Sequence, residues 1–332
     1  MGRTSEAVGA TPLPESTESG LLWRPPDERR VLQLVLATIW LFDAVLQLQP
    51  LMFTRQFGIA MIAPQAHGNP SAVAHSITWA SRVIAHHSVP ADAAFAAIQI
   101  LIGLGIAWRP TVKMALATSI AWAAVVWWFG EGLGGVASGA AHTFSGAPGA
   151  VLIYAVLAVL LWPTDRIAPA SSCTAARGVG DRVARPIWVL LWGGLAFFAL
   201  SGTNRSPDGL RNVVNSLIPG EPRWLATLDR HAADLLGDRG LWVSITLAVV
   251  LGAIALSVYM PTRPARVMSA VAVGLALGIW VVGENFGQVF SGSATDPNSG
   301  PVLALLAVAY WRRLPAREPA PAPASRLSWE AV

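Results

Sequence analysis

Eight separated apolar segments constrain this chain more than any other feature. They lie at 31–53, 91–108, 111–130, 147–162, 185–201, 241–259, 265–282 and 300–311. About 20 helical residues are needed to cross the hydrocarbon core of a bilayer. The fourth and eighth segments are the shortest, and both are bordered by proline. We therefore predict an all-α, polytopic membrane bundle with about eight spanning helices.

Composition supports this class and argues against several others. Charged residues make up only 13% of the 332 residues, whereas soluble domains carry about 25%. The net charge of +4 comes from basic residues scattered singly between apolar segments, so we expect no nucleic-acid partner. Cys173 is the single cysteine, which excludes an intrachain disulfide. Arginine greatly outnumbers lysine, which favours a bacterial source and therefore the bacterial inner (plasma) membrane.

The distribution of basic residues predicts the topology. Sixteen of the 23 Lys+Arg residues fall in the five segments that would face the cytoplasm if the N-terminus does. Cytoplasmic loops of membrane proteins are enriched in Lys and Arg. The other seven lie in the two long loops of the opposite side, where the rule is weak. Both termini are thus predicted to be cytoplasmic.

An internal repeat relates the two halves of the sequence. The stretch "FGEGLGGVASG" at 129–139 and the stretch "VGENFGQVFSG" at 282–292 share six identical positions, each pair 153 residues apart. "GNP" at 68–70 and "GEP" at 220–222 are offset by 152. Because each half holds four predicted spans, the halves should have the same orientation, as parallel repeats do.

The repeat suggests a domain organisation. Two four-helix membrane repeats are predicted at 31–162 and 185–314, joined by a cytoplasmic linker at 163–184. The N-terminal tail at 1–30 and the Pro/Ala-rich tail at 315–332 are predicted to be disordered and cytoplasmic.

Glu131 and Glu284 occupy the same position in the two repeated motifs, at the outer ends of the third and seventh segments. The small-residue loops that follow them can fold back into the protein at membrane depth, provided that they are buried. Two interpretations remain open. The glutamates line an outward-facing cavity and bind a proton, a cation or a polar head group, or each accepts hydrogen bonds from its own loop.

Asp43 is an acid in the middle of the first apolar segment. Gln47 lies four residues later and Trp40 three residues earlier, so the three share one helical face. The matching position in the second half is Leu195. Ionisable groups inside membranes usually mark functional sites, so Asp43 and Gln47 are candidates for binding a ligand or a proton. The alternative is that Asp43 only makes a structural hydrogen bond.

Histidines offer only weak metal-ligand candidates. His86, His87 and His142 lie in predicted outer loops, and adjacent His86 and His87 would point in different directions on a helix. Ligands from separate loops could still converge, but the sequence predicts no metal site and no catalytic residue.

Two stretches resemble DoxX/DoxD-like bacterial membrane proteins. They are "VLQLVLATIWLFDAVLQLQP" at 31–50 and "IQILIGLGIAWRPTVKMALA" at 98–117. The resemblance implies four-helix membrane units, some of them associated with quinone-linked sulfur oxidation. The loops after Glu131 and Glu284 and the long first outer loops depart from that pattern, so no catalytic residues are carried over.

The sequence thus favours a non-catalytic binding or accessory subunit with an extracytoplasmic pocket between two repeats. The candidate ligands of this pocket are a quinone and a lipid. The expected partners of the protein are the lipid bilayer and another membrane protein. A small proton- or cation-coupled transporter is the first alternative. A quinone-linked membrane oxidoreductase subunit of the DoxX type is the second.

Overall fold

The computed structural model describes residues 27–164, 173–219 and 221–313. This part of the chain is all-helical and contains no β-strand. Its helices are α1 (Glu28–Gln47), α2 (Ser71–His86), α3 (Ser88–Ala107), α4 (Val112–Phe129), α5 (Ala150–Leu160), α6 (Thr174–Val179), α7 (Asp181–Ala199), α8 (Gly202–Arg205), α9 (Gly209–Leu217), α10 (Arg223–Leu236), α11 (Gly240–Leu256), α12 (Thr262–Val282) and α13 (Ser299–Ala309).

Six helices in the described part are long and apolar enough to cross a membrane. They are Glu28–Gln47, Ser88–Ala107, Arg109–Phe129, Asp181–Ala199, Gly240–Tyr259 and Thr262–Val282. Their outward faces carry large apolar side chains such as Leu190, Phe197 and Trp242, which are 72–75% exposed. Exposed apolar surface of this extent marks a membrane or protein contact. The six long apolar helices are those of a helical membrane protein by length and composition, in agreement with the class predicted from the sequence.

The fourth and eighth predicted spans differ from the other six. They form α5 and α13, which have 11 residues each and are about 16 Å long at 1.5 Å per residue. That is about half of the hydrocarbon thickness. Both helices are nearly enclosed by protein, and Leu157 and Leu306 are fully buried. The fourth predicted segment, 147–162, is three residues longer at its start and two at its end than α5, whereas the eighth, 300–311, begins one residue inside α13 and extends two residues past it.

Helix pairing is the same in the two halves of the bundle. In the first half α1 packs against α3 and α4 packs against α5; in the second, α7 packs against α11 and α12 against α13. The two short helices also pack against each other. The centre of the molecule is thus formed by α5 and α13, with the longer helices around them.

The loops predicted to lie on the outer side contain further helices. Between α1 and α3, a π-helical turn at Phe57–Ile62 and α2 pack together. Between α7 and α11, α9 and α10 pack together. The turn at Phe57–Ile62 and α9 begin 152 residues apart, and so do α2 and α10.

The predicted linker is more ordered than its composition indicates. Within 163–184, Thr174–Val179 forms α6, and α7 already begins at Asp181. Ala175 is fully buried, and Gly178 lies so close to the carbonyl of Leu160 that a Cβ would overlap with it. Small residues let this segment pack tightly, which explains why a flexible composition forms structure here. Positions 165–172 of the linker lie outside the described residues.

The predicted tails fall almost entirely outside the described residues, at 1–26 and 314–332. The exception is 27–30, where Asp27 caps the N-terminus of α1 and 28–30 form its first turn. There Glu28 pairs with Arg177 at 2.8 Å and with Arg313 at 3.0 Å. These exposed pairs bring the start of α1, α6 and the end of α13 together on one side of the bundle, the predicted cytoplasmic side.

The predicted topology can be tested with introduced cysteines, because Cys173 is only 7% exposed and burial raises the pKa of its thiol. In a Cys173→Ser background we expect Ala72→Cys to react with a membrane-impermeant maleimide in intact cells. Arg263→Cys should react only after lysis. Both positions are exposed, so the reverse pattern would show that the assigned orientation is wrong.

Candidate ligand-binding cavity

The two repeated motifs build loops of the same local geometry. After α4, Glu131 is followed by a left-handed turn at Leu133 (φ 61°) and Gly134 (φ 60°). After α12, the equivalent turn is at Phe286 (φ 54°) and Gly287 (φ 68°). A Cβ on either glycine would overlap with the chain just before the following short helix, at Pro148 or Pro297. Only glycine fits this approach.

Tryptophan side chains hold both loops to the helices that precede them. Trp127 Nε1 donates to Pro148 O, and Trp280 Nε1 donates to Pro297 O, each at 2.7 Å. The backbone hydrogen bonds of the two turns also match: Gly134 N donates to Glu131 O and Gly287 N to Glu284 O. These contacts turn the chain back toward the bundle before α5 and α13 begin.

Each motif glutamate binds the start of the next short helix. Glu131 Oε1 accepts a hydrogen bond from Val151 N at 3.1 Å. Glu284 Oε2 accepts one from Gly300 N at 2.9 Å, and its Oε1 accepts one from the Ser299 hydroxyl. The first amides of a helix have no partner within the helix, and an acid there also favours the helix dipole. This arrangement favours the structural interpretation for both glutamates.

The two glutamates nevertheless differ in their surroundings. Glu284 is 2% exposed and both of its oxygens accept hydrogen bonds. Glu131 is only partly buried, and its Oε2 has no hydrogen-bond partner among the described residues. Burial and, to a smaller extent, nearby Asp296 raise the pKa of Glu131 to about 8, and backbone hydrogen bonds oppose the rise. Burial raises the pKa of Glu284 to about 7, although the hydrogen bond from Ser299 lowers it in part. Glu131 thus keeps an oxygen available for another group.

Glu131 faces a cavity of about 680 Å³ in the first half of the bundle. Asp43, Gln47 and Glu131 line it, whereas Glu284 does not. Its other polar walls come from Gln99 on α3, Tyr154 on α5, His142 in the first loop and residues 293–298 of the second loop. The cavity reaches exposed residues at Gln65 and Ala140. It therefore opens on the side that the arginine distribution predicts to be external.

Asp43 and Gln47 each have a specific hydrogen-bond partner. The Tyr154 hydroxyl donates to Asp43 Oδ1 at 3.1 Å. Gln47 Nε2 donates to Asp92 Oδ1 at 2.7 Å. Asp43 is 2% exposed and Asp92 is fully buried. Trp40, on the same face of α1, packs edge-on against Tyr154 with ring centroids 4.7 Å apart, so the shared helical face of these residues does point into the interior.

Asp296 is a further acid at the cavity that sequence reasoning did not single out. It lies in the second loop, where Asn298 N donates to its Oδ1 at 2.7 Å and the Thr295 hydroxyl to its Oδ2 at 2.9 Å. Burial raises its pKa, and these two hydrogen bonds oppose the rise. The pattern "TDPNSG" at 295–300 is typical of a turn before a helix, so it carried no signal for a site.

The histidines do not form a metal centre with the acids. Among the described residues, no group of three His, Cys, Asp or Glu side chains is placed to hold a metal ion. His86 and His87 are exposed, and their rings contact each other with centroids 6.2 Å apart. His142 lines the cavity, and burial lowers its pKa.

Three polar residues of the cavity wall are replaced by apolar residues in the second half. Counting 152 residues onward, Asp43, Gln47 and Gln99 correspond to Leu195, Ala199 and Leu251. These three apolar residues are at most 1% exposed. An aromatic cluster also fills the loop region there: Phe286 lies 5.0 Å from Trp280 and 6.2 Å from Phe290 between ring centroids. The matching residues of the first loop are the smaller Leu133 and Ala137.

Comparison of the chain with protein families, curated proteins and solved structures finds no match. The resemblance to DoxX/DoxD-like proteins therefore stays a prediction, and the function must be inferred from the cavity itself.

Substituting the two glutamates should separate their roles. We expect Glu284→Gln to lower the free energy of unfolding by about 1–3 kcal/mol, because a buried acceptor with two partners is altered. Glu131→Gln should cost less than about 1 kcal/mol, since only one hydrogen bond is made and the amide oxygen can still accept it. Chemical denaturation of the detergent-solubilised protein measures both. Equal losses would contradict this difference and assign both glutamates the same structural role.

Proposed function

We propose that this protein binds a small molecule in the cavity of its first half, as a binding or accessory component of the bacterial inner membrane. The observation that supports this most directly is the asymmetry between the halves. Two similar sets of helices and loops surround an aromatic cluster beside the loop in one half and a large cavity lined by Asp43, Gln47 and Gln99 in the other. Buried polar groups cost stability unless they are paired, so unpaired polar atoms in the described wall of this cavity suggest a ligand.

The membrane arrangement belongs to the same proposal. We infer that the two halves are parallel repeats, and that each inward loop together with its short helix makes one crossing. Eight crossings then result from six long helices and two loop–helix units. Non-helical backbone at membrane depth is tolerated where it is buried in protein or lines a water-filled cavity. The hydrogen bonds of Glu131, Glu284, Trp127 and Trp280 supply partners for such backbone.

Blocking the cavity mouth tests the binding function. Ala140 is exposed and lines the opening. We expect Ala140→Trp to reduce the small molecule retained by the purified protein at least about tenfold, as measured by native mass spectrometry. Val136→Trp is the matched control, because Val136 is in the same loop, 45% exposed, and not part of the cavity wall. Equal retention in both variants, or none in the wild type after purification from its native membrane, contradicts the proposal.

A proton- or cation-coupled transporter is the second candidate. Three carboxyl groups, those of Asp43, Glu131 and Asp296, face the cavity, and no Lys or Arg lines it among the described residues. Acids without a basic partner inside a membrane protein often mark proton or cation pathways. The quinone-linked oxidoreductase remains a prediction of the sequence resemblance, without a structural feature that favours it.

Variants of Asp43 distinguish a binding protein from a coupled transporter. Asn keeps an acceptor for the Tyr154 hydroxyl, so Asp43→Asn should fold with normal stability. Asp43→Leu should cost about 1–3 kcal/mol, because that buried hydroxyl loses its partner, and adding Tyr154→Phe should restore part of the loss. In proteoliposomes under an imposed pH gradient, a transporter should show solute flux that Asp43→Asn abolishes, since an amide does not titrate. Absence of flux together with retained ligand favours the binding protein.

A further inference from the structure

From the chemistry of the cavity walls we infer that the ligand is an organic ammonium ion: a protonated amine with an aromatic or apolar body. This inference rests on the proposed function and names the class of molecule that the cavity would select. It depends on three features of the walls, namely their charge, their unpaired polar atoms and their aromatic side chains.

Charge is the first feature. Asp43 comes from α1, Glu131 from the first loop and Asp296 from the second loop, so acids converge on the cavity from three separate elements. Among the described residues, the only other titratable groups that line it are the Tyr154 hydroxyl and His142. A ligand with a positive charge offers these acids a partner that the described walls lack. An anionic ligand would find no Lys or Arg in the described part of the wall.

Unpaired polar atoms are the second feature. Gln99 is 7% exposed and lines the cavity, and its Oε1 has no hydrogen-bond partner in the described part of the chain. Glu131 Oε2 and Trp122 Nε1 are also unpaired in the cavity wall. Buried groups of this kind are normally satisfied, so each needs an explanation. Two of the three atoms are acceptors, which suits the N–H donors of an ammonium group, and the indole N–H suits a hydroxyl or ether oxygen on the ligand body.

Aromatic walls are the third feature. Trp40, Tyr154, Phe95 and Trp122 line one cavity, with Phe95 and Trp122 in ring contact at 5.4 Å. Aromatic faces attract organic cations through the ring quadrupole, most strongly where water is excluded. Phe57, Ile62 and Ile84 continue the wall toward the mouth. An inorganic cation would use the acids and leave this apolar wall without a partner.

The volume is consistent with an organic ligand. Small-molecule sites commonly measure about 300–1,000 Å³ and are lined mostly by apolar side chains with a few placed polar groups. The cavity of about 680 Å³ falls within this range. It exceeds what a lone metal ion or proton relay needs.

A matched pair of probes tests the inference. Tyramine and tyrosol, in which a hydroxyl replaces the ammonium group, have nearly the same shape. Binding to the detergent-purified full chain is measured by isothermal titration calorimetry and by the change in tryptophan fluorescence. We expect tyramine to bind at least about tenfold more tightly than tyrosol. Asp43→Asn should remove most of that preference, and Ala140→Trp should weaken both probes, whereas Val136→Trp should change neither.

The outcomes separate this inference from the proposed function. Equal affinity for the two probes overturns the ammonium class and leaves cavity binding intact. The ammonium class is also overturned, with cavity binding intact, if neither probe binds but the wild type retains a molecule that Ala140→Trp loses. Full competition of tyramine by sodium alone at equal ionic strength assigns the site to an inorganic cation and also overturns the inference. If neither probe binds and no molecule is retained in the wild type, both proposals fail.

Discussion

The contact between a loop glutamate and the first amides of a short helix is the constraint on which the rest of this structure depends. A helix that begins inside a bundle exposes unpaired N–H groups where water is scarce, and such groups need partners within the protein. Glu131 and Glu284 supply them for α5 and α13. Because each glutamate must reach forward across its loop, the loop turns back on itself, and the left-handed turns at Gly134 and Gly287 make that possible.

The same framework produces two different interiors because side chains, not backbone, decide what fills it. In the second half, Phe286 and Phe290 pack with Trp280 and close the space beside the loop. In the first half the matching loop positions are Leu133 and Ala137, and the space remains open. Asp43 beside the cavity corresponds to Leu195 in the second half, which is 1% exposed and packed in the apolar core.

Sequence reasoning could predict the membrane class and six spans, because apolar length and basic flanks are properties of single segments. It could also predict that Asp43 and Gln47 share a face, since that follows from helical spacing. It could not show that the apolar segments at 147–162 and 300–311 form helices of only 11 residues, because apolarity alone does not fix both ends of a helix. It missed Asp296 and Gln99, whose importance depends on contacts between distant segments. The partners of Asp43 and Gln47, which are Tyr154 and Asp92, were hidden for the same reason.

The cavity depends on contacts that cross between the halves. Thr143 of the first loop donates to the Leu195 carbonyl on α7 at 2.9 Å, while residues 293–298 of the second loop form part of the cavity wall in the first half. Each loop therefore packs on the half to which it does not belong. A ligand held between Asp43 and Asp296 would bridge α1 in the first half and the loop of the second half. It would thereby join the two halves through one acid from each. Binding there would stabilise the arrangement of the halves as well as the site, since a ligand that binds only the assembled state favours that state.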